Sequence, residues 1–339
     1  MQLSGKEAEQ LKVLYRATGI ETRYTVLEDY GNPDQFNFFP NSDNFEPFPS
    51  THSRMELYRE QAVNISKHAA LNCFKQIGGF NTQEITHLIV VSCTGMFAPG
   101  LDIALVDALQ LNTTVHRTCI NFMGCYAAFN AIRVADSFCA KDNNAKVLIV
   151  CTELCSIHFQ KENTEDNKLA NALFGDGAAS LLVKPEPSEG MNLKIGRSFC
   201  DIAPEGSDDM AWSIGDFGFE MKLSSYVPEV IRQGISKLTA SLLSANQLQS
   251  SYIHYYAIHP GGKKILEAIE HELGIKKSDN QYAYAVMKKY GNMSSPSVIF
   301  VLQEILNSLT SSDHNKKILS FGFGPGLTLE SLILNIDYH

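Results

Sequence analysis

Short continuous apolar runs recur along the chain, and stretches of helical period separate them. Such runs mark strands buried on both faces, and strands alternating with helices mark an α/β fold with mostly parallel sheets. The spacing predicts a helix from Glu7 to Arg16. Residues 31–52 follow, where Pro33, Pro40, Pro47 and Pro49 stand among five phenylalanines and forbid regular helix or central strand. A second helix is expected from Met55 to Gln76, ended by Gly78 and Gly79. Leu88–Ser92 reads as a buried strand. Gly124-Cys125 opens an Ala-rich helix running to Phe138, and Val147–Cys151 is a second strand. Phe174-Gly175-Asp176-Gly177 is a tight turn into a third strand at Ala178–Val183.

The second half repeats this order. Tyr255–His259 is a strand, Gly291-Asn292 precedes a helix from about Ser295 to Leu309, and Ile318–Phe321 is again a strand. Phe323-Gly324-Pro325-Gly326 is the turn, and Leu327–Leu334 closes the unit. Thr94 and Cys125 are 31 residues apart, and His259 and Asn292 are 33 apart. A long insertion between Cys151 and Phe174 has no counterpart in the second half. The expected organisation is two fused halves, 1–183 and 184–339, forming one compact unit with a site at their shared centre.

Composition narrows the function classes. With 339 residues, 44% hydrophobic and 19% charged, the chain has ordinary globular make-up. Its 28 basic and 37 acidic residues give a net charge of −9, and no dense Lys/Arg block argues for nucleic acid. The eight cysteines form no CxxC pair and no zinc-type quartet, so no metal site is expected. That usage, the absence of an apolar leader and the shortness of the apolar runs point to a reduced, cytoplasmic protein without a membrane span.

Cys125 follows Gly124 at a loop-to-helix junction, where the positive end of the helix dipole favours thiolate. Beside it, a buried structural cysteine is the plainer reading. His259 stands just beyond a buried strand, the usual place for reactive groups in parallel sheets, although a structural histidine is equally at home there. Asn292 holds in the second half the position of Cys125 in the first, and could be a simple helix cap. Taken together, the three suit thioester chemistry. An imidazolium or its field lowers the thiol pKa for attack on an acyl thioester. Histidine and asparagine donors then hold the oxyanion left when a malonyl thioester loses carbon dioxide. A papain-like hydrolase also uses Cys, His and Asn, but its cysteine lies near the mature N-terminus.

Tyr290-Gly291-Asn292-Met293-Ser294-Ser295, Ile258-His259-Pro260-Gly261-Gly262, Leu173-Phe174-Gly175-Asp176-Gly177-Ala178-Ala179 and Gly322-Phe323-Gly324-Pro325-Gly326-Leu327-Thr328 resemble the chalcone/stilbene synthase family, the type III polyketide synthases. The resemblance runs from about Leu11 to Leu334. It implies a thiolase-like duplicated αβαβα fold, a homodimer, acyl-CoA starters with malonyl-type extenders, and no metal or redox cofactor. It implies Cys125 as nucleophile, His259 and Asn292 as the decarboxylation and oxyanion pair, and Phe174 as a gatekeeping aromatic. Met221 stands where plant members carry a second gatekeeping Phe. Ser294 and Cys93 match cavity-lining positions, and Ala98 lies on the loop that reaches the partner subunit. Gly324 and Gly326 are expected to let backbone approach the intermediate.

Three departures from the family pattern change the expectation. Family members carry about thirty further N-terminal residues. The stretch Arg16–Arg23 reads RATGIETR, with Ala17 and Glu21 where plant members place coenzyme A-binding lysines. That leaves Arg16 and Arg23 as the candidate CoA contacts and admits an acyl carrier protein as donor. Trp212 fills a position that is small in plant enzymes, and the run through Pro228 resembles bacterial members that make alkylpyrones or alkylresorcinols. The expected function is iterative condensation of malonyl units onto an acyl group on Cys125, followed by cyclisation to a pyrone or phenolic product. The rivals are an initiating 3-oxoacyl-acyl-carrier-protein synthase, which stops after one condensation, and a catalytically silent binding protein of the same fold.

Overall fold

The apolar runs become strands covered on both sides: β1 (His87–Ser92) and β3 (Val147–Leu154) are buried along almost their whole length. The computed structural model describes residues 4–31, 34, 36–203, 209–224 and 227–339. Pro33, and Ser225 and Tyr226 within the run to Pro228, lie outside the described residues. β1 pairs in parallel with β3 and with β2 (His116–Asn121), while β4 (Asp176–Val183) returns antiparallel to β3, giving the order β2-β1-β3-β4. In the second sheet β8 (Tyr255–Ile258) runs parallel to β9 (Lys317–Gly324), and β10 (Thr328–Tyr338) returns antiparallel to β9. β5 (Met191–Ile202) pairs with the outer side of β10, so the order is β5-β10-β9-β8.

Strands β1-β3-β4 and β8-β9-β10 thus repeat one pattern of direction and neighbour, which is the duplication seen in the sequence. Each sheet is mixed: β10 returns antiparallel through the tight turn Pro325–Leu327, too short for a crossover, whereas β4 returns antiparallel after a longer connection that holds α5. The additions differ: β2 extends the first sheet beside β1, and β5 extends the second beside β10.

Two helices fill the middle. α4 (Ala127–Lys141) touches β1 and β3 of one sheet and β10 of the other, and α9 (Pro296–Ser308) touches β3, β4 and β8. α4 turns Ala127, Ala128, Ala131 and Ala135 inward, and these small side chains let two sheets close on one helix layer. Pro296 opens α9, where its missing N–H is harmless. Outside the first sheet lie α2 (Thr51–Gln76) and α3 (Leu101–Ala108), and outside the second α6 (Val227–Ala245), packed on α7 (Lys263–Leu273). α8 (Gln281–Tyr290) rests on α9. The result is the layered α/β architecture expected.

Three elements shape the mouth and floor of the central cavity. α1 (Gly5–Thr18) outruns the expected helix because Ser4 and Glu7 form a reciprocal capping box and Gly19 closes it in left-handed conformation. It packs on α5 (Glu165–Leu173), which occupies the insertion between Cys151 and Phe174 in the first half. A two-stranded hairpin, β6 (Met210–Gly215) and β7 (Gly218–Leu223), stands apart from both sheets. No described helix is long and apolar enough to cross a membrane.

Candidate active site

The turn into α4 places Cys125. Gly124 takes φ +77°, and a Cβ there would lie 2.3 Å from Cδ of Pro325, so the tight approach of two loops requires glycine. Cys125 sits in a single 3₁₀ turn, Gly124–Tyr126, that feeds α4. Its sulfur therefore lies just ahead of the positive end of a buried helix.

His259 extends β8 by one residue, donating its N–H to Phe321 O at 2.9 Å. Its ring meets the edge of Phe323 at 5.3 Å and is fully buried. Neither ring nitrogen has a hydrogen-bond partner among the described residues. Asn292 follows Gly291 at the end of α8 and forms a parallel bridge with Phe174. Its Oδ1 accepts from Ser294 N at 2.8 Å and lies 4.0 Å from Cys125 Sγ, while among the described residues Nδ2 makes only a long contact to Gly261 O, 3.4 Å. Ser294 holds φ +58°, a left-handed strain of the kind that collects at functional sites. Cys125, His259 and Asn292 all line one cavity of about 520 Å³.

Burial governs the protonation of this group. It pushes the Cys125 thiol up to about 12; Ser294 and Asn292 hydrogen bonds oppose the rise and the charge of Glu153 adds to it. Burial pushes the His259 imidazole down to about 3. The sequence led to the expectation of an imidazolium that acidifies the thiol. Removal from water works against that expectation: it favours the neutral thiol over the opposing hydrogen bonds of Ser294 and Asn292, and it favours the neutral imidazole.

The other expected residues divide into two sets. Phe174, Met221, Ser294, Cys93, Trp212, Arg16 and Arg23 line the cavity with the three central groups. Trp212 is fixed by its indole N–H, which donates to Cys93 O at 2.6 Å. Gly324 and Gly326 do not line it, although Pro325 between them does. A Cβ on Gly324 would meet Tyr126 at 2.8 Å and Cys125 N at 3.2 Å, so the close approach is to the loop of Cys125. Ala98 is exposed and lies away from the cavity of its own chain. Arg16 is exposed at the mouth, whereas Arg23 is half-buried and donates to the main-chain carbonyls of Asn171 and Phe174.

Two residues of the cavity region escaped the sequence reading. Glu153, fully buried in β3, accepts from Ser295 Oγ (2.6 Å), Thr94 Oγ1 (2.8 Å) and Cys93 N (2.9 Å), and burial raises its pKa. A carboxylate inside an otherwise apolar strand was the available signal. His158 stacks on Phe219 at 4.2 Å; its Nε2 faces Thr94 O at 2.6 Å and its Nδ1 accepts from Phe219 N at 2.9 Å. That fixes the tautomer with the proton on Nε2. Its segment, CSIHFQ, carries no pattern that distinguishes it from a surface turn.

Known proteins resemble this chain along most of its length. Residues 4–187 match the N-terminal domain of chalcone and stilbene synthases, and residues 194–336 match the C-terminal domain. A protein of Dictyostelium discoideum named probable polyketide synthase 1 is 32% identical over 96% of this chain, which spans only 10% of that protein's length. Pks18 of Mycobacterium tuberculosis, named for alpha-pyrone synthesis, is 31% identical over 97% of this chain and 83% of its own length. Among solved structures, the C-terminal type III polyketide synthase domain of Steely1, a type I/III hybrid from Dictyostelium, superposes with TM-score 0.89 at 30% identity, covering 98% of this chain and 91% of that one. PKS-I of the brown alga Ectocarpus siliculosus gives 0.90 at 28%, covering 97% and 89%. With both halves matched and thiol, imidazole and amide gathered between them, the chain belongs to the chalcone and stilbene synthase family, the type III polyketide synthases.

Proposed function

We propose that this chain is an iterative condensing enzyme that builds a short polyketide on Cys125 from an acyl-CoA starter and malonyl-CoA. One observation carries the reading. A fully buried imidazole, with both nitrogens unpartnered among the described residues, shares a cavity with a thiol and an amide whose Nδ2 is barely engaged. A buried polar group without a partner is costly unless a ligand completes it.

In the first step Cys125 Sγ attacks the starter thioester, its proton passes to neutral His259, and coenzyme A leaves as the thiol. Malonyl-CoA then enters and its C–C bond to the carboxylate breaks, releasing carbon dioxide. The negative charge moves to the thioester oxygen, where N–H groups of His259 and Asn292 receive it. The carbanion attacks the acyl carbonyl on Cys125 and its C–S bond breaks, so the lengthened chain leaves on coenzyme A and the freed thiolate takes a proton from water. A neutral imidazole suits both roles, since it carries one lone pair and one N–H. Reloading and repetition extend the chain before its own enol oxygen or carbon closes the ring. The likeness to Pks18, named for alpha-pyrone synthesis, supports pyrone closure. No step is assigned to a metal or redox group.

Phe174 and Met221 act as the gate of the cavity, while Trp212, Cys93 and Ser294 set its shape. Arg16 is the proposed contact for coenzyme A phosphates. An acyl carrier protein is the second donor in view, because Lys288 pairs with Glu21 at the mouth and Steely1 is a type I/III hybrid. A homodimer fits the β2 edge, unpaired on its outer side among the described residues, and the exposed Ala98 loop with Met96 beside it. A cytoplasmic location fits eight free thiols.

Incubation with acyl-CoAs of graded length and malonyl-CoA, followed by weighing the products, tests the reading. Starters extended by two or more malonyl-derived units are expected, and no product from Cys125→Ala. A single extension supports the initiating synthase instead, and absence of any product or released carbon dioxide supports a silent scaffold.

A further inference from the structure

Arg23 lies where two loops of the cavity meet, and its side chain is committed inward. Its guanidinium Nη1 donates to Phe174 O at 3.2 Å and also to Asn171 O, and its plane sits 5.3 Å from the Tyr15 ring centroid. Its stem runs over two glycines. A Cβ on Gly291 would lie 2.9 and 3.1 Å from Arg23 Cγ and Cδ, and one on Gly175 would lie 3.2 Å from Arg23 Cβ.

Those glycines flank one structural joint. Gly291 precedes Asn292 and Gly175 follows Phe174, the two residues of the parallel bridge between the halves. Asn292 N donates to Leu173 O at 2.9 Å, and Gly175 N donates to Asn292 O at 3.0 Å. A single side chain therefore packs on both strands of the joint and hydrogen-bonds one of them. Asn292 Oδ1 accepts from Ser294 N, two residues along the same backbone, at 2.8 Å, and among the described residues Nδ2 has the long contact to Gly261 O alone, so the direction of the amide follows where this backbone stands.

We propose that Arg23 is a positioning residue that holds the Phe174–Asn292 bridge, and so the Asn292 amide, in register with His259; the inference rests on the reaction proposed above. A planar guanidinium suits the task, because the two hydrogens of Nη1 point in fixed directions at two carbonyls while the stem fills the groove over the glycines. Displacement of an oxyanion donor by about an ångström costs up to roughly 100-fold in rate.

Arg23→Met keeps the stem and removes the fork, and Arg23→Lys keeps the charge with a single point donor. Carbon dioxide release is measured with malonyl-CoA and with malonyl-pantetheine, which lacks the phosphates of coenzyme A. Arg23→Met is expected to lower kcat about tenfold or more on both substrates, with KM little changed, Cys125 alkylation near the wild-type rate and partial recovery in Arg23→Lys. Should Arg23→Met not fold, a kcat loss in Arg23→Lys on both substrates supports the proposal. A defect confined to KM for malonyl-CoA, absent with malonyl-pantetheine, makes Arg23 a phosphate contact and overturns it, as does an unchanged kcat. Wild-type protein that releases no carbon dioxide from either substrate defeats the reaction itself and this inference with it, a result distinct from a defect seen only in the variants.

Discussion

At the scale of single residues, burial sets the chemistry. His259 and His158 are both pressed down to about 3, each chiefly by removal from water. A histidine depressed in the folded state adds stability above its ordinary value of about 6.5, and loses it as the pH falls toward the folded value. In this window the unfolded chain binds protons that the folded chain refuses. Asp176 works the other way, since burial holds its carboxyl up to about 6 and the folded state gains a proton first. Comparing variants separates the contributions. His259→Gln is expected to flatten the dependence of unfolding free energy on pH between 6 and 4 by about one proton, or about 1.4 kcal/mol per pH unit. Denaturant unfolding at a series of pH values measures this, and a slope equal to that of wild type contradicts it.

At the scale of elements, the close approach of the Gly124 turn and the Gly322–Leu327 loop fixes where Cys125 stands. Gly124→Ala asks for a Cβ at φ +77° and 2.3 Å from a proline ring that cannot rotate away. Loss of about 2 kcal/mol or more is expected, from overpacking and left-handed strain together, read as a lower urea midpoint. An unchanged midpoint contradicts the account of this turn. The elements legible in the sequence include the outer helices α1 and α2, marked by helical period, and the strands β4 and β10 after glycine turns, but the plainest are the strands buried on both faces. β1, β3, β8 and β9 announce themselves as apolar runs, and α4 and α9 follow glycine-marked turns. β2 was missed because its residues HRTCIN alternate at an exposed edge, and the β6–β7 hairpin because it belongs to neither sheet. α5 filled what had read only as an insertion.

At the scale of the whole molecule, the repeat matters because it brings equivalent turns face to face. Cys125 precedes α4 and Asn292 precedes α9, and the two helices form the shared middle layer. Sequence spacing alone was enough to nominate Cys125, His259 and Asn292, since each follows a buried strand or opens a helix in its own half. Contacts made between halves were not legible. The clamp of Arg23 on Gly291 and Gly175, the hydrogen bonds of Glu153 to Ser295 and the seat of Trp212 on Cys93 join residues far apart in the chain, with no periodicity to reveal them. The protonation balance was missed for a related reason. A helix end and a neighbouring histidine can be read from letters, but the depth of burial that works against a charged pair cannot.

The central claim is that the imidazole and the amide jointly receive the charge formed as malonyl-CoA breaks down. Carbon dioxide release from malonyl-CoA alone, without a starter, tests it most directly in wild type, His259→Ala and Asn292→Ala. Each substitution is expected to lower the rate by about 100-fold or more while leaving a folded protein. Release at the wild-type rate from either variant contradicts the account.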